Sequence, residues 1–193
     1  MLVMGLQEIL SMRGTESKLD LLAIDDFDGE LRQLIDWAIR MKNDDGFAES
    51  FKPLDGMSIG EKPSTRTRVS FEVGVSKLGG QPLTLLANDI QLGKSESIAD
   101  TAAVLSRFMD GITYRCFGHS DVQELAKHSS VPVINALSDM HHPCQAAADL
   151  MTIMEKHDSV NGHVSWVGDG NNVLHDLMLS LIHISEPTRR LVI

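Results

Sequence analysis

The chain has 193 residues, 42% apolar and 23% charged, which are ordinary proportions for a soluble globular protein and enough to bury one good core or two small ones. A formal charge of −10 and a pI near 5.1 exclude broad binding to nucleic acid or an anionic membrane, because both need a positive surface field. No apolar run reaches the roughly 18 residues of a membrane helix, and the opening "MLVMGLQEIL" lacks a basic n-region and a cleavage site, so the chain is read as cytoplasmic. Cys116 and Cys144 form no CxxC pair and are read as reduced thiols.

In chain order, residues 28–42 place Leu31, Leu34, Ile35, Ala38 and Ile39 on one stripe of an amphipathic helix, with Asp28 available as its cap. "KPLDGMSIG" reads as a turn leading into a short strand. "STRTRVSFEVGVSKLGG" reads as a helix with Phe71, Val75 and Leu78 on one face and Gly79 with Gly80 as its stop. "SIADTAAVLSRFMDG" carries Ser97 and Asp100 at capping-box spacing, and Gly111 is taken as its end. "ITYRCF" alternates like a strand, "SDVQELAKH" is a helix opened by the capping pair Ser120 and Gln123, and "VPVINAL" is a buried strand. A helix then starts at "HHPCQ" with Pro143 in its first turn, and "NGHVSWVGDGNNVLHDLML" reads turn, strand, glycine loop, helix.

Strands alternating with helices at this spacing imply an α/β fold, a parallel-sheet αβα sandwich. In such sheets ligands collect beyond the carboxyl ends of the strands. That rule selects four turns: "EKPSTRTR", Arg115, "MHHPCQ" and "GDGNN".

The first turn of a helix offers free N–H groups and the positive end of the dipole. Ser64, Thr65 and Thr67 add hydroxyls there, and arginine adds a fork matched to phosphate. Arg66 and Arg68 are two positions apart and cannot face the same way, so one is expected on an anion and the other on a protein acid. The same string also suits a merely capped, solvated helix start. Arg115 in an apolar strand needs either an ion-pair partner or a ligand. His142 before Pro143 suits a capping role as well as a site, and Gln145 offers both an amide donor and an acceptor. Asp139, His141, His142 and Cys144 match no common zinc spacing, so no metal is expected. "GDGNNV" has Val173 where a dinucleotide loop needs its third glycine. Together these turns suit a small molecule that carries both a phosphate and an acyl or carbamoyl group.

"STRTR" with "SFE", "ESIADTAAVLSR", "HPCQ" with "ADLMT", and "GDGNN" resemble the aspartate/ornithine carbamoyltransferase family in order and spacing over roughly residues 20–180. "WVGDGNNVLH" and "LGKSES" are most similar to its ornithine branch; the aspartate branch shares "STRTR" and the HPxQ pattern and stands as the alternative, beside a non-catalytic phosphate-binding fragment. The resemblance implies carbamoyl phosphate held by Ser64, Thr65, Arg66, Thr67, Arg115, His142 and Gln145, with Gln91 reaching a neighbouring subunit's site in a homotrimer. It implies that Asn171 or Asn172, with Asn172 preferred, contacts L-ornithine, whose side-chain amine attacks the carbamoyl carbon to give L-citrulline and phosphate for arginine biosynthesis. Arg115, His142 and Thr67 would polarise the carbonyl and Arg66 would stabilise the departing phosphate. No cofactor is implied.

The same resemblance divides the chain into an unmatched extension at 1–18, a carbamoyl-phosphate domain at 19–157, the start of an ornithine-binding α/β domain at 158–180, and a tail at 181–193 whose "SEPTRRLVI" reads as non-native. It also marks "MSIGEKPS" as about three residues short, a change that would move the following loop by roughly 10 Å of strand rise if nothing compensated. The family's second-domain Ser-Met-Gly and His-Cys-Leu-Pro motifs do not occur in this sequence, so the reading is of a truncated enzyme whose ornithine binding and turnover are left open.

Overall fold

A computed structural model describes residues 18–27, 29–50, 55–86, 90, 92, 95–157 and 163–184. The expectations for Asp28, Gln91 and the ends of the chain at 1–17 and 185–193 lie outside the described residues. A 3-10 turn at Ile24–Phe27 leads into α1 (Leu31–Asn43) and the short α2 (Asp45–Glu49). Strands and helices then alternate: β1 (Gly56–Gly60), α3 (Thr65–Lys77), β2 (Pro82–Leu86), α4 (Ile98–Leu105), β3 (Gly111–Arg115), α5 (His119–His128), β4 (Val133–Leu137), α6 (Pro143–His157) and α7 (Asn172–Ile184).

The four strands form one sheet in the order β2-β1-β3-β4, and every pairing is parallel. Each strand is joined to the next through a helix, as parallel neighbours require. Leu21 extends the β4 edge by one bridge: its N–H donates to Val133 O at 2.9 Å, and its carbonyl accepts from Asn135 N at 2.8 Å. Strands β3 and β4 bury almost every side chain, as sheets covered on both faces do.

Alternation along these strands sorts the core into two clusters. Ile134 points to the face covered by α1 and α6, where it meets Leu31, Leu34, Ile35, Leu150 and Met154. Val133, Ile112 and Tyr114 point to the other face, where Ala102 of α4 and Leu125 of α5 cover them. The stripe read for the first helix is the stripe that is buried: Leu31, Leu34, Ile35 and Ala38.

Helix ends follow local chemistry in some places and not in others. Ser97 caps α4 by accepting from Asp100 N–H at 3.0 Å. Gly79 takes φ 81°, and the Gly79 and Gly80 N–H groups close back on Ser76 O and Val75 O, both at 3.0 Å, ending α3 as a Schellman motif. Gly111, however, does not end α4; the helix stops at Leu105, and Gly111 opens β3. Ser120 does not cap α5 either. That helix begins one residue earlier, at His119, whose N–H is taken by Asp139 Oδ1 at 2.7 Å from the loop after β4. The strand expected in "HVSWV" is absent: residues 163–167 are irregular and exposed, Val167 by 98%. No described strand lies beside it, and without a neighbour a strand has no ladder in which to satisfy its N–H and C=O groups.

Candidate active site

The chain order reverses across β1 and β3: β2 lies on one side of β1, and β3 begins the run on the other. Ligands of open α/β sheets bind at that point, beyond the carboxyl ends of the strands. β1 runs into the loop before α3, and β3 ends at Arg115. Glu61 N–H donates to Arg115 O at 2.9 Å and prolongs the β1–β3 ladder past the last paired residues. All five residues of β1 stay in register with β3, and the loop after it meets Arg115.

A cavity of about 710 Å³ runs along the sheet face from the amino ends of the strands at Gly56, Pro82 and Gly111 to this point, where Ser64, Arg66, Thr67, Arg115, His142 and Gln145 line it. Three of the four turns selected from the sequence thus supply one wall; the "GDGNN" turn supplies none of it. Ser64 is the N-cap of α3, its Oγ accepting from Thr67 N–H at 3.3 Å, which leaves the first N–H groups of the helix facing outward. Thr65 does not line this cavity; with Arg68 it lines a smaller neighbouring one that also touches Arg115. Arg66 and Arg68 therefore diverge, as their spacing requires, but among the described residues Arg68 has no carboxylate partner.

Arg115 and His142 carry the strongest sign of a ligand. Arg115 Nε and His142 Nδ1 are buried and have no hydrogen-bond partner among the described residues. A buried polar atom left unmatched costs about 1–3 kcal/mol, a cost that a ligand in the cavity lined by both residues would relieve; Thr101 Oγ1 and Tyr114 OH are unmatched too but line no part of it. Burial, and then the neighbouring Arg115 charge, lower the His142 pKa from its ordinary value, which favours a neutral ring at pH 7. Burial likewise lowers Arg115, without threatening the charge of a guanidinium.

Gln145 is exposed where it lines the cavity, and its Nε2 donates to Asp149 Oδ1 at 2.9 Å. Asn172 takes no part in this wall. Its amide donates to Ser138 O at 2.7 Å and ties the start of α7 to the corner after β4. Of Asp139, His141, His142 and Cys144, three have partners, Asp139 on His119 N–H, His141 on Asp176 and Cys144 on Asn135 O, whereas His142 Nδ1 has none among the described residues.

Comparison with known proteins agrees with this arrangement. The family model of the aspartate/ornithine carbamoyltransferase carbamoyl-P binding domain matches residues 19–155. The chain belongs to that family. An ornithine carbamoyltransferase from Thermococcus kodakarensis is 51% identical over 83% of this chain and 53% of its own length. One from Oceanobacillus iheyensis is 50% identical over 83% of this chain and 51% of its own. Among solved structures, the ornithine carbamoyltransferase of Pyrococcus furiosus superposes with a TM-score of 0.79 at 47% identity, covering 85% of this chain and 54% of that one. The anabolic enzyme of Campylobacter jejuni gives 0.80 at 35% identity over 86% and 55%. The chain spans about half the length of the curated relatives it matches.

Sequence reasoning missed one side chain at this corner, Asp176. It is wholly buried on α7 and accepts from both histidines that precede Pro143. Its signal was present: a lone acid inside "VLHDLMLSLI", a helix otherwise apolar enough to be covered.

Proposed function

We propose that this chain supplies the carbamoyl-phosphate half of an ornithine carbamoyltransferase, with residues 19–157 as the phosphate-binding unit and the segment from 158 as the start of the ornithine-binding one. The single observation that carries the reading is the pair of unmatched buried atoms, Arg115 Nε and His142 Nδ1, in the same cavity wall as the α3 N-terminus. In this reading Ser64, Thr65, Thr67 and the free N–H groups of α3 receive the phosphate, with Arg66 as its charge partner. Arg115, His142 and Thr67 point at the carbamoyl oxygen and stabilise the negative charge that grows there as the amine attacks. Gln145 orients the carbamoyl amide. Arg66 holds the phosphate as it leaves.

The remaining assignments rest on the resemblance of the sequence motifs to the family. Gln91 would complete the phosphate site of a neighbouring subunit in a homotrimer, Asn172 would contact L-ornithine, and the product would be L-citrulline for arginine biosynthesis in the cytoplasm. Asn172 would have to exchange its bond to Ser138 O for the substrate. No metal or organic cofactor enters the scheme.

Calorimetry with carbamoyl phosphate tests the cradle. The intact chain should release heat on binding, and Arg66→Ala or Arg115→Ala should each raise Kd about tenfold or more, the worth of one charge-assisted hydrogen bond. No heat from the folded wild-type chain rejects the proposal. In the protein containing the complete ornithine-binding half, formation of carbamoyl-aspartate in place of citrulline would move the assignment to the aspartate branch.

A further inference from the structure

Asp176 has 0% exposure, and nothing in the chemistry above uses it. Its Oδ1 accepts from His141 Nδ1 at 2.9 Å and from Ile24 N–H at 3.2 Å, while Oδ2 accepts from the main-chain N–H of His142. The three donors come from the 3-10 turn and from the corner between β4 and α6. One side chain of α7 therefore clamps two other elements.

We infer that Asp176 is a positioning residue for His142: its carboxylate fixes the main chain from which the His142 ring enters the cavity. The inference rests on the reading that this cavity takes carbamoyl phosphate. Three observations carry it. The His142 ring is not held by a bond at Nδ1, which has no partner among the described residues, so its aim depends on its backbone. Pro143 follows and confines His142 to extended conformations, so one firm bond at the His142 N–H suffices to set where Cβ points. The other side of the corner is closed independently, His141 O accepting from Ser138 N–H at 2.9 Å and Ser138 Oγ accepting from His141 N–H at 3.1 Å. Asn172 and His175 also tie α7 to this corner, at Ser138 O and Met140 O, but Asp176 is the α7 side chain that holds the His142 N–H itself.

The charges facing the His142 ring are Arg115, which disfavours its protonated form, and Asp176 and Asp149, which favour it. Asp176→Asn is nearly isosteric, but it puts an NH₂ against one of the N–H donors. The His142 amide and ring signals report the result by NMR, and calorimetry reports binding. In folded D176N the His142 amide proton should move upfield, the ring should titrate at lower pH than in the wild-type chain, and Kd for carbamoyl phosphate should rise about tenfold, the scale of a misaimed contact. Wild-type His142 signals and Kd in D176N overturn the inference, and so does a lowered thermal midpoint with both unchanged, because that describes a purely structural clamp.

If D176N does not fold, hydrogen exchange of the His142 amide in the wild-type chain decides. Slowing of about a hundredfold or more relative to an exposed amide supports the clamp, and exchange at the exposed rate overturns it. If the wild-type chain gives no heat with carbamoyl phosphate, the functional reading fails by itself, and the His142 signals still settle whether Asp176 holds that residue.

Discussion

Around β3 and β4 the sheet is packed on both faces, whereas neither α3 nor β2, at its other side, has a fully buried described residue. The candidate site lies across this boundary. Arg115 and His142 stand on the packed side, where strand ends and the Asp176 clamp hold them; Ser64, Arg66 and Thr67 stand on a helix whose apolar face, Phe71, Val75 and Leu78, is only half covered. Elements that meet ligands are commonly drawn from the less stable part of a fold, because they must order around something that comes and goes. The difference teaches that the two arms of the site have unequal rigidity: the carbonyl-facing arm is built in, and the phosphate-facing arm is lightly anchored.

The contrast is most easily broken in the core. Leu125→Ala, at 0% exposure between α5 and the sheet, should lower the unfolding free energy by about 2–5 kcal/mol, while Val73→Ala, 46% exposed on α3, should change it by no more than about 0.5 kcal/mol. Urea denaturation measures both, and equal losses would abolish the distinction.

Caps sharpen it at a smaller scale. Ser97→Ala removes the hydroxyl that accepts from Asp100 N–H and should cost about 1 kcal/mol of global stability. Ser64→Ala removes the matching bond to Thr67 N–H, yet on a lightly packed helix the loss should surface as faster hydrogen exchange at the start of α3, with the urea midpoint unchanged. A shifted midpoint for Ser64→Ala would mean that α3 is part of the cooperative core.

The pH effect should be smallest. Burial and Arg115 hold the His142 pKa in the fold below its ordinary 6.5, so the fold prefers the neutral ring. The unfolded chain then binds more protons between the two values, and stability rises with pH across that interval. The contribution is complete above about 6.5 and is lost as pH falls through the folded value. His142→Asn, which cannot titrate, should therefore lose less stability than the wild-type chain between about pH 7 and pH 5. His119 is lowered for the same leading reason, burial, and leaves a residual dependence in both. Parallel curves for the two proteins would show that His142 keeps its ordinary titration.

Much of this was legible in the residues. The stripe of α1, the Ser97 cap and the double-glycine end of α3 are local patterns, and each operates within a few positions of chain. The failures share a cause. Ser120 looked like a cap, but the carboxylate of Asp139, from another element, took the role. "HVSWV" alternates like a strand yet lies irregular, because a strand needs a neighbour that its own residues cannot specify. Asn172 was nominated for a substrate, and the fold engages its amide at Ser138. Asp176 drew no notice because an acid in an apolar helix becomes informative only when its donors are known.

The sequence by itself determined the alternation of strands and helices, hence a parallel sheet and the turns at which a ligand could bind, because hydrophobic period and capping chemistry act over a few residues. Tertiary structure alone decided which of those turns meet at the reversal between β1 and β3, which polar atoms there remain unmatched, and which acid aims His142. Those outcomes depend on groups brought together from distant parts of the chain, and burial, which gives an unmatched nitrogen its meaning, exists only once the layers have closed.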